Sequence, residues 1–438
     1  MSDVRKRTSA VPKGRLERLA HIGAAATSAA LSNASLRAKR LLGGDEIEGV
    51  LTVPGARKLA KRLSRLRGAA MKLGQMASIS SDSMIPPEIA EALSVLRAAA
   101  DAMPEHQVRD QLVRNLGPDW ESHFEHFEME PMASASIGQV HRARTTDGEE
   151  VVLKVQYPGV RASIDSDVDN LASLLKLWRY LPGNIEFDGV IEETKRQLRH
   201  EADYRHEAEN TKRYYELFSD FPGVEIPKVF EALCADEVLT TSYVSGQPLL
   251  EAAEFLSQER RDSLADRLLR LTCSELFVHR FMQTDPNPGN FLYREADDTL
   301  VLLDFGACDE IGDSLLEGYR QMTLAVINGD RPGLEHGLEQ LGFFLPEDPR
   351  DMRDDILDMV VLSSEPLLTD APYDYGDSDL SDRARAKGIE LAKNQRLTRT
   401  PPPETLFVQR KLGGAFLLAS KMKARVACRP MLRELLAS

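Results

Sequence analysis

Cysteine is scarce in this chain. Its 438 residues include four, Cys234, Cys273, Cys308 and Cys428, widely spaced and without a CxxC pair. That excludes a disulfide framework and a thiolate zinc site, and it fits a reducing compartment. A basic–apolar–small leader is missing, so an intracellular protein is expected. No internal repeat is visible, which removes solenoids and propellers. Long apolar runs are almost absent too. Leu19–Leu36 carries no formal charge between Arg18 and Arg37 and has the length of a membrane span. Its Ala, Ser, Thr and Asn gain little from hydrocarbon, so it reads as a helix that packs on the body or lies at a membrane surface.

What is present is ordinary for a globular protein, with 42% hydrophobic and 28% charged residues, enough for a core divided into two or three lobes. The charge is uneven. Residues 1–72 hold 16 Lys/Arg and 5 Asp/Glu, or +11, and with −14 over the whole chain the remainder is −25. A basic leading segment suits an anionic surface such as a membrane. The acidic body argues against nucleic acid, and Met1–Lys13 reads as a solvated tail.

Helical patterning runs from Arg57 to Gln75, and Pro86-Pro87 opens a helix ending near Ala102. Strands are expected at Val140–Ala143, Glu150–Tyr157 and Val238–Val244, and Val160–Leu217 reads as charged helices. From Leu249 the chain reads as nearly all helix, broken by short β-rich pieces at Asn290–Tyr293 and Leu300–Phe305. Pro366–Asp382 reads as a loop, and Pro401-Pro402-Pro403 opens a last helical segment. A few strands followed by many helices predict an α+β arrangement with a mixed lobe and a helical lobe.

Within that pattern one constellation carries chemistry. Asp285 stands five residues before Asn290 in Gln283-Thr284-Asp285-Pro286-Asn287-Pro288-Gly289-Asn290, a spacing that puts two oxygen-bearing side chains on one tight loop. Fourteen residues later an apolar strand ends at Asp304-Phe305-Gly306. Hard cations such as Mg²⁺ take carboxylate and amide oxygens, so Asp304 and Asn290 form a candidate metal pair. Kinases use this order, with Asp285 in the place of the aspartate that meets the acceptor hydroxyl. Upstream, Val151-Val152-Leu153-Lys154-Val155 is an alternating strand with one lysine. A lone lysine there is ordinarily just an exposed charge, but its place before the catalytic loop makes it the candidate phosphate-binding lysine. Glu207 is chosen as its ion-pair partner among many nearby glutamates. Before this strand lies Ala133-Ser134-Ala135-Ser136-Ile137-Gly138-Gln139-Val140, with the length and place of a glycine-rich loop but alanine at two of the three glycine positions. A Cβ there restricts close backbone approach to phosphates.

These residues together resemble the UbiB/AarF atypical kinases, a family linked to coenzyme Q biosynthesis. The resemblance rests on Lys72-Leu73-Gly74-Gln75, the alanine-rich loop, Glu201-Ala202-Asp203 and Gln283-Thr284-Asp285-Pro286-Asn287. Pro401-Pro402-Pro403-Glu404 and Arg410-Lys411-Leu412-Gly413-Gly414 are similar to the mitochondrial coenzyme Q branch in particular. The resemblance implies an atypical kinase-like bilobal α+β fold, with a family-specific N-terminal helical extension and a helical insert in the N-lobe. Its expected parts are a basic segment over 1–45, an extension over 46–125, an N-lobe over 126–246 and a C-lobe over 247–438. It implies ATP or ADP with Mg²⁺, with Lys154, Asp285 and Glu207 catalytic. Nucleotide contacts would come from Ala133, Ser134, Ala135, Ser136, Ile137, Gly138, Val140, Lys154, Thr241 and Val244, and metal contacts from Asn290 and Asp304. Lys72 and Gln75 would lie on a helix covering the site, with Lys72 reaching Glu201 and Asp203. From the residues alone, Glu201 and Asp203 stand two apart and do not share a helix face, so at least one is expected near a helix end if both point inward.

The expected partners are lipid intermediates or enzymes of quinone biosynthesis and an anionic membrane, with the oligomeric state left open. The expected place is the bacterial cytoplasm or inner membrane face, with the mitochondrial matrix as the alternative. After Gly306 the chain passes through Ala307–Ile311 almost directly into a helical pattern, leaving no long activation loop to build a peptide platform. This agrees with what the resemblance implies, an ATPase acting on lipid or small molecules more than a protein kinase. A true phosphotransferase and a nucleotide-switched scaffold are the alternatives.

Overall fold

The computed structural model describes residues 102–135, 137–177, 192, 195, 196, 198–393 and 402–437. The readings on the basic segment, Leu19–Leu36, Lys72, Gln75 and Ser136 lie outside these. Two compact units share the chain. The first takes the chain up to Glu209 and then Lys228–Tyr243; the second takes Asn210–Pro227 and everything from Val244.

The first unit begins with α1 (Glu105–Leu116) and is built on an antiparallel sheet. Strands β1 (Phe124–Phe127), β2 (Ala133–Ser134), β3 (Gly138–Thr145), β4 (Glu150–Gln156) and, later in the chain, β6 (Val238–Ser242) lie in the order β1-β3-β4-β6, with β2 hairpinned onto β3. Period-2 patterning explains β4: Val151, Leu153 and Val155 are fully buried while Val152 and Lys154 lie on the other face. Val108 and Leu112, four apart on α1, are fully buried in the same core as these valines. Helices α2 (Val160–Leu177) and α3 (Tyr204–Phe218) follow, the first contributing Ile164 and Val168 to that core.

The second unit takes over within α3, which leads to β5 (Val224–Glu225). Its sheet runs β5-β10-β9-β7, where β7 is Gln247–Pro248, β9 is Phe291–Arg294 and β10 is Thr299–Leu302. Two short strands, β8 (Phe281–Gln283) and β11 (Cys308–Glu310), pair with each other. The rest is helical: α4 (Leu249–Ala253), α5 (Gln258–Phe277), α6 (Asp313–Asn328), α7 (Arg331–Gln340), α8 (Arg350–Ser363), α9 (Leu380–Lys393), α10 (Pro403–Lys421) and α11 (Cys428–Ala437). Leu268, Phe281, Phe291, Phe305, Leu418 and Leu432 are among the residues of its main core. No helix among the described residues is long and apolar enough to cross a membrane.

The α+β composition is as expected, with local departures. Strands β1, β8 and β11 do not emerge from the sequence because three or four residues hold no measurable period. Pro366–Asp382 is more ordered than a loop. Within it β12 (Tyr373–Asp374) pairs with β13 (Arg425–Val426), Tyr375 is buried with its hydroxyl 2.9 Å from Cys428 Sγ, and α9 starts at Leu380. Its prolines and glycines mark turns, whereas its tyrosines belong to the core.

Candidate active site

In the first unit the strand and the helix each aim one charge. The β4 alternation turns Lys154 away from the face of Leu153, and its Nζ donates to Glu207 Oε1 at 2.8 Å and Oε2 at 3.0 Å. Glu207 is 2% exposed and the Lys154 side chain 18%, so the carboxylate is the more deeply buried member of the pair. The Tyr204 ring stands 5.1 Å below the ammonium, a cation–π contact.

Asp203 sets where Glu207 sits. Its Oδ1 accepts from the His206 amide at 3.2 Å and its carbonyl from the Glu207 amide at 2.9 Å, which makes it the cap of α3. Glu201 ends the preceding helical turn, so the two carboxylates flank a helix break. Arg161 Nη2 lies 3.6 Å from Asp203 Oδ2.

The alanine-rich loop is a tight hairpin. Ala133 pairs with Val140 and Ser134 with Gln139, the Ala135 amide donates to the Gly138 carbonyl, and Ile137 is buried. Gly138 has a packing reason to lack a side chain: a Cβ there would lie 2.4 Å from the Val155 carbonyl oxygen. Thr241 pairs with Val152 on the sheet edge opposite β3. Val244 is buried and belongs to the second unit.

The second unit holds the loop that the sequence marks as the candidate catalytic one. The Thr284 amide donates to the Ala307 carbonyl, Asn287 Oδ1 caps a short turn by accepting from Gly289, and Leu303 donates to the Asn290 carbonyl. Asp285, Asn290 and Asp304 are thus drawn to one place by backbone bonds. Asn290 Nδ2 donates to the Asp285 carbonyl at 3.3 Å and Oδ2 at 3.4 Å, which directs its amide oxygen away from them. Asp304 Oδ1 accepts from Gly306 at 3.0 Å. Phe305 is fully buried, 4.6 Å from the Tyr214 ring, and its carbonyl accepts from Asn210.

This donor set fits Mg²⁺. It offers one carboxylate and one amide oxygen, and no cluster of three or more His, Cys, Asp or Glu among the described residues could hold a cation alone. Magnesium bound through few protein oxygens keeps its other positions for phosphate and water, which is what a nucleotide supplies.

The contacts of several residues around this loop escape sequence reading. Gln283 Nε2 donates to the Asp285 carbonyl at 2.7 Å and to the Asp304 carbonyl at 3.3 Å. Lys411 and Glu275 form a buried ion pair beside it, with Nζ 3.1 Å from Oε2. Burial pushes the Glu275 carboxyl above its ordinary range, while Lys411 and the Tyr214 hydroxyl pull it back. One sign was available for the acid: Glu275 stands directly before Leu276-Phe277 in a helical stretch, whereas Lys411 follows Gln409 and Arg410 and carries no such mark.

Comparison with known proteins adds to the geometry. Residues 95–337 match the family described as the ABC1 atypical kinase-like domain. The chain is 37% identical to "Atypical kinase COQ8B, mitochondrial" of Rattus norvegicus over 98% of this chain and 82% of that protein. It is 34% identical to "Atypical kinase COQ8, mitochondrial" of Saccharomyces cerevisiae over 98% of this chain and 86% of that one. It is 37% identical to "Atypical kinase coq-8, mitochondrial" of Caenorhabditis elegans, of which it spans 58%. Among solved structures, the Rv3197–erythromycin complex of Mycobacterium tuberculosis superposes with a TM-score of 0.59 at 26% identity, covering 87% of this chain and 95% of that one.

Proposed function

The chain belongs to the ABC1 atypical kinase-like family, whose coenzyme Q branch includes the COQ8 relatives, and from that premise we propose that it binds Mg-ATP and hydrolyses it in support of ubiquinone biosynthesis. The observation that carries this reading is the Lys154–Glu207 pair, in which a buried carboxylate fixes the ammonium at 2.8 Å. Such an ammonium would orient α- and β-phosphates. Asp304 and Asn290 would hold a magnesium ion, and the ion would supply charge neutralisation at the phosphates. Asp285 orients the acceptor, water or a lipid-derived hydroxyl, by accepting its proton. The alanine-rich hairpin would allow bound phosphates less close backbone approach than glycines would.

The shape of the acceptor follows from a short stretch of chain. Only six residues separate Gly306 from α6, and three of them form β11. An extended peptide needs a longer platform, so lipid intermediates of quinone synthesis are the favoured substrates or cargo. In the same reading, the basic N-terminal residues bring the protein to an anionic membrane, and Lys72 and Gln75 gate the site through Glu201 and Asp203.

The test is Mg-dependent phosphate release by the purified chain, alone and with anionic vesicles carrying phenolic quinone precursors. Asp304→Asn is expected to lower kcat by about 10²-fold or more. Failure of the wild-type protein to bind any nucleotide overturns the proposal.

A further inference from the structure

We infer that α10, through Arg410, Lys411 and Gly414, is the element that positions the catalytic loop and so sets where Asp285 and Asp304 stand; the inference rests on the Mg-ATP reading above. Arg410 and Gly414 are four apart and Lys411 and Gly414 three apart, so they share one flank of the helix. That flank meets Gln283, Thr284 and Pro286 of the loop. Arg410 Nε donates to the Thr284 carbonyl at 3.0 Å, and Lys411 Nζ donates to Gln283 Oε1 at 2.9 Å. Gly414 lies against Pro286 so closely that a Cβ would stand 2.0 Å from the proline Cβ.

Lys411 does something an apolar residue could not. A buried ion pair recovers little of what its desolvation costs, and hydrophobic residues of like volume often serve stability as well. Lys411, 2% exposed, has three donors and no acceptor. Two of its contacts go to Glu275, which also accepts from the Tyr214 hydroxyl at 2.6 Å and from the Gln283 amide at 3.2 Å. The remaining contact obliges the Gln283 side chain to turn its oxygen toward the ammonium. Its Nε2 then faces the other way, where it meets the carbonyls of Asp285 and Asp304 together. One amide thus ties the residue proposed to meet the acceptor to the residue proposed to meet the metal. These are positioning residues, since none of them needs to touch nucleotide.

A pair of neighbouring glycines makes the test. A Cβ at Gly413 meets nothing within 4 Å, whereas one at Gly414 strikes Pro286. In the full-length protein, Gly414→Ala is expected to lower kcat for ATP hydrolysis by roughly 10- to 100-fold and to raise the Mg²⁺ concentration for half-maximal rate. ADP affinity measured without Mg²⁺ should stay within about threefold of wild type. Hydrogen exchange should quicken at the amides of residues 283–290 and stay unchanged in β3 and β4. Gly413→Ala should match wild type in all of these. If Gly414→Ala fails to fold, Gln283→Glu replaces it: the carboxylate keeps Lys411 as partner and loses the donor to both carbonyls. Wild-type Mg²⁺ dependence and exchange in whichever variant folds overturn the inference. If the wild-type protein turns over no ATP, the functional proposal falls, and the contrast in exchange between the two glycine variants still decides the role of α10.

Discussion

Lys154 and Lys411 are both lysines held by a glutamate, yet only one was legible. Lys154 sits in a strand with a clear period, upstream of a loop whose spacing has few other meanings. Lys411 sits in a helix, and its partner Glu275 is 136 residues away in sequence. No local pattern connects them, so their meeting is a product of the fold. Glu207 lies between these cases: position made it eligible, but the structure singles it out. A third buried polar residue, His141, leads to a measurable consequence. It is fully buried, with its ring stacked on Phe127, Nδ1 bonded to the Glu128 carbonyl and Nε2 accepting from Gln139. Burial holds it below its ordinary value of 6.5, so the folded protein keeps it neutral. A group depressed in this way contributes stability that is present above the unfolded pKa and lost as pH falls through the folded one. Thermal melts of wild type should therefore weaken between about pH 7 and pH 5, by at most about 1.4 kcal/mol per pH unit for this one proton. His141→Gln should show a shallower slope, with His279, also lowered by burial, retaining a share. Equal slopes in the two proteins would refute the assignment.

At the scale of elements, the long alternating strand β4 and the long helices were readable because a period repeats within them. The paired strands β8 and β11 were not, although they frame the catalytic loop on both sides. The pair Glu201 and Asp203 shows what a motif leaves open. Two residues apart, they seemed unable to act from one helix face, and the structure answers by breaking the helix between them. Asp203 then acts on α3 by capping it, independently of any contact with Lys72. The two roles separate experimentally, because capping needs an acceptor while pairing with Lys72 needs a charge. Asp203→Asn keeps an acceptor and is expected to hold the melting temperature. Asp203→Ala loses it and should destabilise by about 1 kcal/mol. If Asp203→Asn melts as low as the alanine variant, charge and not capping is what α3 uses there.

At the scale of the molecule, the border between the two units carries no mark in the sequence. The chain passes between the units after Glu209, Pro227 and Tyr243, so Asn210–Pro227 belongs with the second unit. Helical periodicity runs through α3 without a mark at Glu209, so only packing reveals that its end and β5 serve another core. Charge is the molecular property that composition reports best, and it supports one more prediction. Residues 1–45 carry nine Lys/Arg against three Asp/Glu, in a protein whose total is −14. An acidic body is repelled by an anionic bilayer, so any binding must come from a local cluster that outweighs that repulsion within a Debye length, about 8 Å at physiological salt. Each basic residue near such a surface is worth about 1 kcal/mol. Flotation with vesicles containing anionic lipid should therefore recover the full chain at low salt and lose it as salt rises. Deleting residues 1–45 should abolish recovery while leaving ATP turnover in solution intact. Equal flotation of the truncated chain would place the contact elsewhere, and flotation insensitive to salt would point to apolar insertion of Leu19–Leu36 in place of charge.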